Sequence, residues 1–278
     1  MEAYNLDLIA RSGPFLIAGP CALESEAVCR EVAAVLCDIA RDLQIPVIFK
    51  GSYSKANRTH EEAFHGLGLE RGLELLALVR REFGLPVTSD VHEIREVAPA
   101  GEVLDLVQIP SLLCKNTGLL HAAADTGKPV NIKKGQFITA ADMRWSVDKV
   151  TARGNRRVWI TERGNLFGYG ETVVDFRVLN AIRDFAGPVI FDATHSVRHA
   201  ARRSADPEGG TPQDIPLLAR CAAAAGFDGL FLEVHPRPGQ APCDAAVAWP
   251  LADLPELARC FVEIRRFVGA VSGAPERR

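Results

Sequence analysis

No stretch of the 278 residues approaches the roughly 20 consecutive apolar side chains that a bilayer-spanning helix needs. The first residues carry Glu2, Asp7 and Arg11 instead of an apolar run, so no secretory leader is expected. Positive charge is not in excess: Lys and Arg number 32 against 35 Asp and Glu, a net charge of −3. Chains that grip nucleic acid through phosphates are normally basic, so that partner class is excluded, and any bound anion must be held by a local cluster. The seven cysteines form no CxxC pair and are odd in number, which argues against a disulfide framework and for a reducing cytoplasm. Glycine and proline, 23 and 17 in number, show no period, which excludes collagen-like and low-complexity chains. What remains is an ordinary globular composition, 47% apolar and 24% charged. The length fits either two small domains or one α/β barrel, which takes about 250 residues as a single unit.

Short apolar runs alternate with helix-length amphipathic stretches. Eight strands are expected, at 15–19, 47–50, 87–91, 106–109, 130–133, 158–161, 189–193 and 229–234. Between two of them, residues 25–43 carry Val28, Val32, Val35, Leu36 and Ile39 at helical spacing. Residues 69–83 do the same with Leu73, Leu76 and Val79. Gly and Pro punctuate the junctions, as at Ile45-Pro46 and Gly187-Pro188. Parallel strands need helical crossovers, and eight is the number that closes a (β/α)8 TIM barrel. The rival, a doubly wound open sheet, wants a Gly-rich first turn, and Gly19-Pro20-Cys21 is no dinucleotide fingerprint. The whole chain, 1–278, therefore reads as one barrel domain. The aperiodic stretch 198–214 follows a strand and is expected to be a mobile lid over the barrel mouth.

Each strand ends in polar residues, and in a barrel those C-terminal ends converge on one face, where active sites lie. Two sets separate by chemistry. Lys50, Lys55, Arg58, Lys133 and Arg163 are cationic and suit a phosphorylated substrate, because Arg offers bidentate phosphate contacts and Lys a point charge. Of Lys133 and Lys134, strand alternation points one inward. Cys21, His195, Glu233 and Asp244 offer a thiolate, an imidazole and two carboxylates, a mixed set for a divalent metal ion such as Zn²⁺, Fe²⁺ or Mn²⁺. Taken alone, Cys21 reads as a small buried side chain, and only a barrel joins it to the other three.

The run Ala18-Gly19-Pro20-Cys21-Ala22-Leu23-Glu24-Ser25 resembles the opening of the 3-deoxy-D-manno-octulosonate 8-phosphate (KDO 8-phosphate) synthase family. Lys55-Ala56-Asn57-Arg58, Ser89-Asp90-Val91-His92-Glu93, Val130-Asn131-Ile132-Lys133-Lys134-Gly135, Thr161-Glu162-Arg163-Gly164 and Phe191-Asp192-Ala193-Thr194-His195-Ser196 carry the resemblance along the chain. It runs in order from about residue 14 to 268. It implies a (β/α)8 barrel, a cytoplasmic homotetramer, and a transferase of lipopolysaccharide biosynthesis. That enzyme condenses phosphoenolpyruvate with arabinose 5-phosphate and water, and releases phosphate. The resemblance also implies a phosphoenolpyruvate site at Lys50, Ser52, Lys55, Gln108, Lys133 and Arg163. The acceptor would lie at Asn57, Arg58 and Asp90. Cys21, where the metal-free branch has Asn, implies the metal-dependent branch, with Cys21, His195, Glu233 and Asp244 as ligands. The lead 1–14 would form a cap over the barrel bottom.

Departures from the family pattern gather on the acceptor and lid side: Thr59-His60, His65-Gly66-Leu67-Gly68, Asn116-Thr117-Gly118 and Thr211-Pro212. They leave room for a paralogue that uses another aldose or aldose phosphate, with Arg198, Arg202 and Arg203 as replacement phosphate contacts. Two rivals come from other classes. A Schiff-base aldolase would use Lys133 as its nucleophile, and a non-enzymatic sugar-phosphate binder would have no need of the cysteine–histidine–carboxylate set.

Overall fold

The computed structural model describes residues 5–11, 13–55, 64–166, 170–199, 202, 206 and 208–271. Eight parallel strands form a closed barrel: β1 (Phe15–Gly19), β2 (Val47–Lys50), β3 (Val87–Asp90), β4 (Leu106–Ile109), β5 (Val130–Lys133), β6 (Val158–Glu162), β7 (Val189–Asp192) and β8 (Gly229–His235). Each pairs with the next, and β8 returns to β1 with Phe15 opposite Gly229 and Gly19 opposite Glu233. The expected strand set is observed with ends shifted by one residue. β3 and β7 stop a residue sooner, although Val91 and Ala193 still donate to Gln108 and Phe231, while β6 and β8 run on through Glu162 and His235. Every barrel-strand position is buried, as helices covering a parallel sheet require.

The helices are α1 (Glu26–Leu43), α2 (Leu69–Phe83), α3 (Ile94–Val103), α4 (Thr117–Asp125), α5 (Met143–Thr151), α6 (Val178–Arg183), α7 (Ile215–Ala225) and α8 (Leu254–Val271). Ser25 starts α1 by accepting the Val28 amide on its hydroxyl, and the helix ends where Gln44 turns left-handed before Ile45-Pro46. Its stripe Val28, Val32, Leu36 and Ile39 is buried, with Val35 at the edge.

Alternation along the strands sorts the barrel into layers. Leu16, Ala18, Val47, Phe49, Val107, Val130, Ile132, Ile160 and Phe191 face outward into the helix-packed core. Phe15, Ile17, Ile48, Leu106, Trp159, Ile190 and Phe231 face inward as a separate apolar cluster. Leu6, from the helical turn Leu6–Ile9, packs onto that inner cluster. The next inward position on each of six strands is polar: Lys50 after Ile48, Asp90 after Thr88, Gln108 after Leu106, Lys133 after Asn131, Asp192 after Ile190 and Glu233 after Phe231. The barrel interior thus changes from oil to charge over one strand repeat of about 7 Å.

Candidate active site

Gly19 sits where β1 crosses closest to β2. A Cβ there would lie 1.9 Å from the Lys50 carbonyl oxygen, so only glycine lets the two strands meet at Lys50. The Lys50 ammonium, 1% exposed, donates to Glu233 Oε1 at 2.6 Å and to the Cys21 carbonyl at 3.1 Å. Lys55 approaches the same Glu233 oxygen at 3.9 Å. Burial works against the Glu233 charge, and Lys50 and Lys55 overcome it, holding the carboxyl well below the usual carboxylate range.

A belt of hydrogen bonds crosses five strands. Ser52 donates to Asp90 at 2.7 Å and Gln108 donates to the other Asp90 oxygen at 2.8 Å. Asn131 donates to Gln108 at 2.9 Å, and Thr161 donates to Asn131 at 2.9 Å. Buried polar groups tied to one another this way hold fixed rotamers. Asp90 also lies 3.8 Å from Lys50. Burial opposes its ionisation, but Lys50, Lys55 and Lys133 more than offset this and keep it a carboxylate far into acid.

Opposite this belt, Lys133 meets Asp192 Oδ2 at 2.6 Å, His195 Nδ1 at 3.2 Å and the face of Phe231 at 4.3 Å from the ring centroid. Asp192 Oδ2 also lies 2.8 Å from His195 Nδ1, and its other oxygen accepts the His195 amide. The imidazole is thereby oriented with Nε2 towards Glu233 Oε2, 3.7 Å away. Lys134 points to the other face of β5. There it is caged by the carbonyls of Gly135, Ile138 and Gly164, the Asn165 side chain and Glu162. Burial pulls its ammonium below the ordinary lysine range. Of the lysine pair, Lys133 faces the site and Lys134 props the loop.

Arg163 donates only to neutral oxygens, on Ser111, Gln136 and the His195 carbonyl. It makes no ion pair among the described residues. Burial, helped by Arg198, lowers its pKa from the usual arginine value. A buried guanidinium without a carboxylate partner is an open anion site.

These groups surround a cleft of about 160 Å³ lined by Lys55, Asp90, Lys133, Arg163, His195, Glu233 and Asp244 among others. Lys50, Ser52, Gln108 and Cys21 lie beneath it as a buried floor. Asn57 and Arg58 lie outside the described residues, as do 200–201, 203–205 and 207 of the expected lid. Arg198, at the start of that stretch, lines the cleft and stands 3.5 Å from Asp244 Oδ1. Two other strand-end groups belong elsewhere: Glu93 and Glu96 cap α3, and His235 bonds Glu24.

The cation ligand set falls into two overlapping triples, His195 with Glu233 and Asp244, and Cys21 with Cys243 and Asp244. Within each triple the ligand atoms lie within 4.8 Å of one another. Glu233 Oε2 and Asp244 Oδ1 are buried without a hydrogen-bond partner, facing His195 Nε2 at 3.7 Å and Arg198 at 3.5 Å, which leaves both oxygens able to take a cation. Asp244 is held in the left-handed region at φ 49°, with its carbonyl accepting from Val247 and Ala248. The donor set therefore fits a borderline divalent ion. Residue types alone overlooked Asp192 and Cys243. Asp192 had a signal, an acid on a strand end three residues before a histidine. Cys243 had none, because it sits in an aperiodic stretch.

Fold and site together define a barrel enzyme whose mouth is lined by lysine and arginine and by residues able to hold a cation. The chain belongs to the DAHP synthetase I family, whose model matches residues 10–268. It is 48% identical over 256 residues to the 2-dehydro-3-deoxyphosphooctonate aldolase of Nitratidesulfovibrio vulgaris (strain DP4), covering 92% of this chain and 93% of that protein. It is 47% identical over 272 residues to the protein of the same name from Koribacter versatilis (strain Ellin345), covering 96% and 98%. The protein of that name from Geobacter metallireducens is 50% identical over 242 residues, covering 87% and 89%.

Proposed function

We propose that this chain condenses phosphoenolpyruvate with arabinose 5-phosphate and water, giving 3-deoxy-D-manno-octulosonate 8-phosphate and inorganic phosphate. The observation that carries this reading is the charge layout of one cleft. Arg163 and Lys133 offer positive charge beside His195 and Glu233 in that cleft, in a chain nearly half identical to proteins named for that product. Carbon 3 of phosphoenolpyruvate forms the new bond to the sugar aldehyde carbon. Water adds at carbon 2, and the C2–O bond to phosphate breaks. Arg163 and Lys133 bind the phosphate and carboxylate and steady the charge that moves as the bond forms. The proton lost by the attacking water balances the one the aldehyde oxygen gains as it becomes a hydroxyl, and Glu233, with one oxygen tied to Lys50, stands beside that transfer. Asp192 fixes the imidazole that faces it. Ser52 and Gln108, on the phosphoenolpyruvate side, donate to both oxygens of Asp90 and so fix that carboxylate for the acceptor.

Cys21, His195, Glu233 and Asp244 are the residues that would hold a divalent cation, and such an ion supplies Lewis-acid polarisation of a bound oxygen. The Schiff-base alternative is disfavoured by the Lys133–Asp192 contact at 2.6 Å, which ties that amine to a carboxylate and away from a carbonyl carbon. Borohydride with substrate should trap no adduct. Seven free cysteines support a reducing, cytoplasmic setting. A homotetramer is the expected assembly, and sedimentation equilibrium measures it.

Phosphate release from phosphoenolpyruvate tests the reading directly. Release should require arabinose 5-phosphate, stop on chelation and return with Mn²⁺ or Zn²⁺. Faster turnover with another aldose phosphate would move the acceptor assignment to the paralogue reading, which Arg198 at the cleft wall would then explain.

A further inference from the structure

Cys243 is not among the four ligands expected from the sequence, yet its sulfur lies 2.7 Å from Cys21 Sγ, which itself lies 3.2 Å from Asp244 Oδ2. One ligand atom from each of Cys21, Cys243 and Asp244 falls within 4.8 Å of the others. The bland alternative is a small buried thiol filling space. Its surroundings argue otherwise. Cys243 stands apart from the main core, in a small cluster with Cys21, Ala22 and Phe64. Its polar neighbour is Asp244, a carboxylate with one oxygen unbonded. Adjacent residues on an extended chain point apart. Here the left-handed turn at Asp244 lets two consecutive side chains reach one point, at φ 49° on a residue other than glycine.

We propose that Cys243 is a second thiolate ligand of the cation held by Cys21, His195, Glu233 and Asp244, which makes the site rich in sulfur and selective for a soft or borderline ion such as Zn²⁺ over a hard one. This rests on the reading that a cation is held there at all. As the ion enters, each thiol gives its proton to solvent and each sulfur gives one lone pair to the ion, with no change of oxidation state. Two sulfurs bound to one zinc at about 2.3 Å stand about 3.3 Å or more apart for ligand angles of 90° or wider, so the side chains part by roughly half an ångström or more on loading. Asp244 belongs to both triples and is the hinge between the sulfur ligands and the His195–Glu233 pair.

The test uses the full chain, kept reduced, stripped by chelator and loaded with one equivalent of Zn²⁺. X-ray absorption at the zinc edge should show two sulfurs at about 2.3 Å. A bound zinc with one sulfur overturns the proposal and leaves the cation site standing. Failure to bind zinc overturns both. Variants add a second readout. In the Co²⁺-loaded protein, Cys243→Ser and Cys21→Ser should each remove about half of the thiolate charge-transfer absorbance, and the double variant all of it. Each single variant should also weaken Co²⁺ binding by about tenfold or more. An undiminished band in Cys243→Ser overturns the proposal.

Discussion

The two ends of the barrel are built from the same strands and answer to different physics. At the N-terminal end Phe15, Ile17, Ile48, Leu106, Trp159 and Ile190 fill the interior, with the Phe15 and Trp159 rings 5.3 Å apart and Leu6 over them. One strand repeat further on, the inward positions hold Lys50, Asp90, Gln108, Lys133, Asp192 and Glu233, almost all buried. The lower layer needs only shape and volume, so its members are exchangeable within packing limits. The upper layer is buried charge, which is tolerated only where each group finds a partner. Arg163 is the exception among the described residues, and on the proposed function it meets substrate charge. Stability and chemistry are therefore separable along one strand, and substitutions at the two levels should fail in different ways.

The sharpest break is predicted within the lower layer. Trp159→Ala should cost about 3–5 kcal/mol of unfolding free energy, read by urea denaturation, with turnover of the folded fraction little changed. Lys134→Met should behave like a lower-layer change although it sits beside Lys133. It removes an ammonium caged by three carbonyls and Glu162, leaving buried oxygens unpaired, at a cost of about 3 kcal/mol or more. Loss of turnover in Lys134→Met at unchanged stability would break the comparison. Arg163→Met should do the reverse. Its guanidinium has no carboxylate to leave orphaned, so stability should hold or rise, while kcat/KM for phosphoenolpyruvate falls by about 10²–10³-fold.

Much of this layering could be read from residue order, because period-two alternation carries both the inward face and the apolar-to-polar switch. Alternation points one of Lys133 and Lys134 inward, residue type at a strand end singles out Glu233, and Asp90 and Gln108 are legible as site residues through the family resemblance. Asp192 has the same strand-end position but no distinctive neighbour except His195. Its role became visible only once Lys133 and His195 were seen to converge on one of its oxygens. Cys243 and Arg198 lie in segments with no period, where nothing local says which way a side chain points. Only closure of β8 on β1 brings Cys243 to Cys21, 222 residues away.

The smallest effect tests whether the polar belt contributes stability of its own. In the folded chain Asp90 stays ionised where the unfolded chain, with an aspartate value near 3.9, has already taken up a proton. Its contribution is therefore complete above about pH 4 and is lost as pH falls through the lower folded value. Over that window the unfolded state binds the extra proton, so stability must decline with falling pH. Asp90→Asn keeps the shape, and Ser52 can accept from the new amide. It should flatten the slope of unfolding free energy between about pH 4 and pH 2 by roughly one proton, near 1.4 kcal/mol per pH unit. Trp159→Ala should shift the same curve down without changing its slope. An Asp90→Asn slope equal to that of the parent chain would mean that the lysines around Asp90 stabilise substrate charge and not the fold.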